Sequence, residues 1–121
     1  MTRNEKLFQG YLKKWIKKLG LSDWDISIKF SNQEDYCKEN NIDDPEWSMC
    51  LVIPFWQYQL AHIRVNKDQV NIEDEDNLEE NAIHELVHCM VNEMESYSKD
   101  EMHEEHVVSM LARAIKRIDR Q

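Results

Sequence analysis

The amino-acid sequence predicts an α+β fold. Along the chain, an N-terminal helix is followed by the strands of a small sheet and then by two C-terminal helices. Apolar residues recur at helical spacing in three segments, approximately residues 4–19, 77–95 and 98–118. Three shorter segments between the first two of these have the lengths and patterns of strands. The chain has 121 residues, enough for one domain with a core of its own, so we expect residues 1–121 to form a single domain.

The first helix is predicted from a single apolar stripe. The stripe consists of Phe8, Leu12, Trp15 and Leu19, at positions i, i+4, i+7 and i+11. Gly20 follows and is a typical helix C-terminal residue. Four lysines lie in the later turns, where cations complement the helix dipole. They are Lys13, Lys14, Lys17 and Lys18. We expect these lysines to form a solvated face.

The sheet is predicted from three segments. Residues 24–31 alternate between apolar and polar side chains, as in a strand with one buried face. Residues 47–53 and 57–66 predict the second and third strands. No helical segment separates these two strands, which favours an antiparallel hairpin through residues 54–56. The sheet is therefore expected to have about three strands and to be mostly antiparallel. The polar segment 32–46 contains Asp44-Pro45 and is expected to be a loop.

Two helices complete the chain. The polar segment 67–77 contains the acidic run 73–76 and leads into the helix at 77–95. This central helix is apolar around much of its circumference, which predicts a buried helix. The segment Ser98-Lys99-Asp100-Glu101 fits a capping box and predicts that the last helix starts there and continues to about Ile118.

Composition bounds the class of protein. The net charge is −9, and an acidic surface disfavours nucleic acid and anionic membranes as partners. No apolar run is long enough to span a bilayer, and residues 1–10 lack the apolar region of a secretory signal. The odd number of cysteines (Cys37, Cys50 and Cys89) favours reduced thiols over a disulfide framework. We therefore expect a cytoplasmic protein.

The central helix carries the pattern His84-Glu85-Leu86-Val87-His88. Two histidines four apart on a helix project from one side and can hold one metal ion. Zinc suits imidazole nitrogen, and it lowers the pKa of a bound water toward about 7. Glu85, between the two histidines, is placed to accept a proton from that water. The pattern therefore predicts Zn²⁺ as cofactor, His84 and His88 as ligands and Glu85 as the catalytic base.

A catalytic zinc ion needs a third protein ligand and an open position for water. The start of the last helix offers five candidates, namely Glu101, His103, Glu104, Glu105 and His106. Zinc accepts both carboxylate oxygen and imidazole nitrogen, so the chemistry alone does not choose among them. Tyr97, His103 and His106 are also candidates for stabilising the oxyanion of a peptide hydrolysis reaction.

The spacing of these residues resembles that of the gluzincin peptidases. His84 to His88 are followed by Glu105, Ser109, Leu111 and Ala112. In gluzincins the ligand Glu begins a helix and is often followed, four residues on, by Asp, Asn or Ser. From about residue 5 to 118 the chain also resembles small zincin-like metallopeptidases of phages and prophages. The resemblance implies a zincin-like fold, peptide-bond hydrolysis and Glu105 as the third zinc ligand.

Three functions are compatible with the sequence. The leading expectation is a zinc-dependent peptidase acting on a peptide or protein substrate. The resemblance to zincins implies that the substrate lies along an edge strand, and residues 57–66 are the expected edge. The second is a zinc-binding domain without catalysis, in which a fourth side chain closes the metal site. The third is an acidic phage-type interaction protein such as a DNA mimic, suggested by the net charge and the acidic residues at 73–80.

Overall fold

The computed structural model describes residues 1–41, 49–95 and 101–120, and within these the side chains other than those of 93–95 and 101–104. The described residues form an α+β fold with five helices and three strands. In chain order these are α1 (Arg3–Lys18), β1 (Asp25–Ser31), α2 (Gln33–Asn40), β2 (Cys50–Phe55), β3 (Leu60–Asn66), α3 (Lys67–Ile72), α4 (Glu75–Glu95) and α5 (Glu101–Asp119). None of the helices in these ranges combines the length and the apolar character needed to cross a membrane.

Helices α2 and α3 lie in segments whose polar composition did not indicate helices. Each begins at an asparagine whose side chain accepts a backbone N–H: Asn32 from Asp35 and Asn66 from Asp68. Each is anchored by one fully buried side chain, Tyr36 in α2 and Val70 in α3. A helix of six to eight residues with one buried residue has too little periodicity to stand out in a sequence. The expectation of a loop over 32–46 was therefore wrong for Gln33–Asn40.

The sheet has the strand order β1-β3-β2, so β3 is its central strand. The β2–β3 hairpin is antiparallel as predicted, but it turns through the short 3₁₀ segment Trp56–Tyr58 and Gln59, whose φ is 49°. β1 pairs parallel with β3, so the sheet is mixed and not mostly antiparallel. The segment 57–66 was expected to supply an edge strand. That expectation is wrong, because β3 is paired on both sides; among the described strands β1 and β2 are the edges.

One face of the sheet packs against α1 and α4, and the core lies between them. Ala61, Ile63 and Val65 of β3 point into it and are fully buried. The core helices contribute Phe8, Leu12, Trp15, Leu78, Ala82, Ile83, Leu86, Val87, Val108 and Ala112. The predicted stripe of α1 is thus the face that packs, and α4 is buried on several sides. Helix α4 contacts α1, α5 and β2. The part of its surface that stays exposed therefore lies between β2 and α5.

A partly buried ion pair joins α1 to α4. The Lys14 ammonium donates to Glu79 at 2.8 Å and the Trp15 indole N–H donates to it at 3.0 Å, while the Glu79 side chain is only 12% exposed. Burial raises the pKa of Glu79, but the two hydrogen bonds and the charge of Lys14 outweigh burial, so the pKa lies below its ordinary value of 4.5. The ionised form is therefore favoured by folding.

This ion pair predicts a pH-dependent contribution to stability. Because the folded pKa of Glu79 is lowered, its contribution is complete above pH 4.5 and is lost as the pH falls through the folded pKa. We expect Glu79→Gln to lower the free energy of unfolding by about 1 kcal/mol at pH 7 and by less at pH 3. Urea unfolding at both pH values measures the difference. Glu34→Gln, which changes an exposed pair with Lys38, is the control with little effect. Equal losses at the two pH values would contradict the prediction.

Candidate metal centre

Helix α4 places the two histidines of the motif side by side. The His84 and His88 rings have centroids 5.0 Å apart and planes inclined by 70°. The neighbouring residues Leu86 and Val87 are buried, so the apolar side of α4 faces the core and the histidine side faces outward. Both histidine side chains remain partly exposed, at 22% for His84 and 15% for His88. The pair is therefore held on a largely buried helix and is accessible from solvent.

Helix α5 brings the Glu105 carboxylate to both rings. Its two oxygens lie 3.2 Å from His84 Nε2 and 2.9 Å from His88 Nε2. The helix is held against the core by Val108 and Ala112, which are buried and lie three and seven residues after Glu105. One donor atom from each of the three residues lies within 4.8 Å of the other two. The three side chains form the only such group of potential metal ligands among the described residues.

The donor set suits a zinc ion. Two donors that are each about 2.1 Å from a tetrahedral ion lie roughly 3.4 Å apart, close to the separations between Glu105 and the two rings. Ser109 Oγ lies 3.4 Å from His84 Nδ1, so the Nε2 atom of that ring is the one directed at Glu105. Burial and the neighbouring His88 lower the pKa of His84, although Glu105 opposes them. The neutral imidazole, which is the form that binds metal, is thereby favoured.

Glu85 lies next to this group, on the side of α4 that faces β2. Burial and the charge of Glu105 raise the pKa of Glu85 to about 8. Burial raises the pKa of the Cys50 thiol in β2, and the nearby charge of Glu85 raises the pKa of this thiol further. A carboxyl with a strongly raised pKa beside a metal-binding group has the environment typical of a catalytic acid or base.

Strand β2 runs alongside α4 in the same direction. At one end, the Asn81 amide donates to Met49 Sδ at 3.8 Å; at the other, the Trp56 backbone N–H donates to Asn92 Oδ1 at 3.2 Å. Asn81 and Asn92 flank the two histidines at spacings of three and four residues, so a helical pattern of polar residues in the sequence marks both contacts with β2. The strand is therefore tied to α4 just beyond both of its ends, on either side of the histidine pair.

The outer edge of β2 carries unpaired backbone groups in the described structure. The Asn66 N–H bonds to the Met49 carbonyl at 2.8 Å, and antiparallel ladders alternate, so the N–H and C=O groups of Cys50 and Val52 point away from β3. Pro54 falls in the same outward set, where its missing N–H interrupts no ladder bond. None of the described strands pairs with this edge.

The structure brings together three of the predicted ligands and separates His106 from them. His84, His88 and Glu105 converge, with Glu85 beside them. His106 is exposed and, one residue further along the helix than Glu105, is turned by about 100° from it. The alternative ligands Glu101, His103 and Glu104, and the oxyanion candidate Tyr97, lie outside the described side chains. His62 bonds through Nδ1 to Ser27 at 2.7 Å on the sheet and is not part of the group.

Ser109 is expected to orient His84 for metal binding. A hydrogen bond to the second ring nitrogen selects the tautomer and the ring orientation, and its removal typically costs about 10–100-fold in metal affinity. We therefore expect Ser109→Ala to weaken zinc binding by roughly tenfold, measured by competition with a chromophoric chelator. Ser27→Ala, which removes a serine–histidine contact elsewhere, is the matched control. Unchanged zinc affinity in Ser109→Ala would show that the 3.4 Å contact has no orienting role.

Comparison with known proteins adds no relative to this picture: no protein-family model, no curated protein and no solved structure matches the chain.

Proposed function

We propose that this chain is a zinc-dependent peptidase of zincin-like architecture. His84, His88 and Glu105 would hold the ion, and Glu85 would act as the base. The observation that carries the proposal is the convergence of three donor atoms from two helices within 4.8 Å, beside a carboxyl with a raised pKa. The order of sheet, motif helix and ligand helix supports the zincin-like interpretation. The three free thiols support a cytoplasmic location.

The proposed reaction is hydrolysis of a peptide bond. A bound zinc ion supplies Lewis acidity, which lowers the pKa of water and polarises the scissile carbonyl. The charge of a bound zinc ion would offset the burial and the Glu105 charge that raise the pKa of Glu85, so that its carboxylate form accepts a proton from the attacking water as the new C–O bond forms. As the C–N bond breaks, Glu85 passes that proton to the departing amine nitrogen, so that water is divided between the two products. Ser109 keeps the His84 ring in its orientation throughout.

Strand β2 replaces residues 57–66 as the proposed docking edge for substrate. Its outward backbone groups at Cys50 and Val52 can bond to an extended peptide. Helix α4 lies next to this strand, and Glu85 faces the strand from the helix. A peptide bound along the edge would therefore pass the histidine pair in an extended conformation.

Zinc content and hydrolysis together test the proposal. We expect the purified chain to contain one zinc ion, and a mixed peptide library to be cleaved in a manner that a chelator abolishes and added zinc restores. Elemental analysis and mass spectrometry of the products measure these quantities. Zinc without hydrolysis would favour the non-catalytic zinc-binding domain. A chain that binds no zinc would contradict both interpretations.

A further inference from the structure

A groove rich in arginine and lysine lies between the first turns of α4 and the last turns of α5. It is lined by Arg113, Lys116 and Arg117 of α5, by Arg120 directly after α5 and by Glu80 of α4, and it has a volume of about 390 Å³. The four cations follow one another at spacings of three, one and three residues, so they lie on one side of α5. We call this feature the basic groove. It is a concentration of positive charge on a chain whose net charge is −9.

The basic groove continues the metal centre along the same pair of helices. Glu80 lies one turn before His84 on α4, and Arg113 lies one turn after Ser109 on α5. At 1.5 Å per residue, Arg113 is about 12 Å and Arg120 about 22 Å from Glu105 along the helix axis. An extended peptide advances about 3.3–3.6 Å per residue, so these distances correspond to roughly four to six residues.

The charges of the groove are only partly neutralised. Arg113 lies 3.9 Å from the Glu80 carboxylate, and the Lys116 ammonium donates to the Asp76 carbonyl at 2.8 Å. Arg117 and Arg120 have no carboxylate within ion-pairing distance among the described side chains. By contrast, Lys14 and Lys18 of α1 are already paired with Glu79 or Asp119. The groove therefore retains the capacity to bind an anionic group.

The docking edge leads toward this groove. Met49, which precedes β2, contacts Asn81, which follows Glu80 on α4, so the start of β2 and the groove lie at the same level along the helix axis, on sides of α4 about 100° apart. A peptide on the outer edge of β2 that has passed the histidines toward Met49 therefore reaches the end of α4 that borders the groove. The docking edge and the groove therefore approach the same end of α4 from adjoining sides, and the histidine pair lies one turn further along the helix than Glu80.

We propose that the substrates of this site carry a cluster of acidic residues about four to six residues from the cleaved bond, and that the basic groove binds this cluster. The inference rests on the proposed peptidase function and adds the class of substrate. Carboxylates complement the guanidinium groups of Arg117 and Arg120, which can bind them through two hydrogen bonds each. An acidic polypeptide is otherwise repelled by the surface of this chain, so recognition is confined to the groove.

A polypeptide fits these observations better than a nucleic acid. Affinity for nucleic acid comes mainly from neutralising many phosphates, and the groove offers four cations, two of which already have partners within the chain. The acidic remainder of the surface would repel a duplex that extends beyond the groove. The groove also lies one helical turn from the metal centre, which is the proposed site of peptide hydrolysis.

Peptide binding to full-length, zinc-loaded Glu85→Gln tests the proposal without dependence on turnover. The probes are fluorescein-labelled peptides of about 14 residues with an apolar centre, which is long enough to reach the groove. One set carries Glu-Asp-Glu four to six residues from the apolar centre, on its N-terminal side in one peptide and on its C-terminal side in the other. The matched set carries Gln-Asn-Gln at the same positions. We expect one of the two acidic peptides to bind roughly tenfold more tightly than its amide counterpart in low salt, with a smaller ratio in high salt. Equal binding of acidic and amide peptides would overturn the proposal.

Two pairs of arginine substitutions and one control pair of lysine substitutions locate the binding. Arg117→Glu with Arg120→Glu should abolish the preference for acidic peptide, and Arg117→Gln with Arg120→Gln should reduce it with less effect on α5 itself. Lys13→Glu with Lys17→Glu makes the same change in net charge on exposed residues of α1 and should leave the preference unchanged. A preference that survives both arginine pairs, with folding verified by circular dichroism, would refute the groove as the binding surface.

Two further measurements separate the alternatives. A labelled single-stranded DNA is tested in parallel; if the arginine pairs weaken DNA binding and leave peptide binding unchanged, the groove serves nucleic acid and the proposal is wrong. Hydrolysis is scored separately with the unsubstituted chain. Selective binding of acidic peptide without any cleavage contradicts the peptidase function, whereas cleavage without preference for acidic peptide contradicts only the inference about the substrate.

Discussion

Replacement of Glu85 by Gln is expected to lower the rate of peptide hydrolysis by about 10²–10⁴-fold while the chain keeps its zinc. The amide has nearly the shape of the carboxyl but cannot accept the proton of the attacking water. Zinc binding should persist because the donor atoms belong to His84, His88 and Glu105. The rate is measured with a fluorogenic peptide chosen from the library products, and zinc content by elemental analysis of the same sample.

The control for this substitution is Glu34→Gln, which makes the same chemical change on exposed helix α2. We expect it to leave both hydrolysis and zinc content unchanged. Glu85→Gln with more than about a tenth of the original rate would exclude Glu85 as the base, given the usual size of that contribution. Loss of zinc in Glu85→Gln would instead show that the residue takes part in metal binding.

Replacement of either His84 or His88 by Ala is expected to weaken zinc binding by roughly 10²–10⁴-fold. Zinc sites in small domains bind with about 10–16 kcal/mol in total, so one ligand of three accounts for roughly 3–5 kcal/mol. Both rings face the same Glu105 carboxylate, so the two substitutions should have similar effects. Competition with a chelator of known affinity measures the change, and hydrolysis at limiting zinc should fall in parallel.

His62→Ala provides the matched control, because His62 lies on β3 and bonds to Ser27 away from the metal centre. The His62→Ala variant should bind zinc with the same affinity as the unsubstituted chain. Stoichiometric zinc binding of unchanged affinity in His84→Ala would remove the basis of the whole site. Loss of zinc in His62→Ala would place the metal on the opposite face of the sheet.

The long helices could be predicted because each repeats its apolar pattern over several turns. The stripe of α1 and the apolar α4 needed only their own spacing to be recognised. Helices α2 and α3 could not be recognised in this way, since each depends on an asparagine cap and one residue buried by distant parts of the chain. Strand segments were found, but their order was not. Alternation shows that a strand has a buried face and says nothing about its neighbours.

By itself the sequence determined the part of the candidate site that lies within one helix. The spacing of His84, Glu85 and His88 places the two rings together and the carboxyl beside them, because helix geometry is local. Tertiary structure decided the rest. The packing of Val108 and Ala112 selects Glu105 over His106 at the two rings, and the sheet order makes β2 the edge beside α4. The same packing of α5 on α4 places four cationic side chains in one groove, although the net charge of the chain is −9. Contacts between residues distant in sequence have no local pattern, and for that reason only the folded chain reveals them.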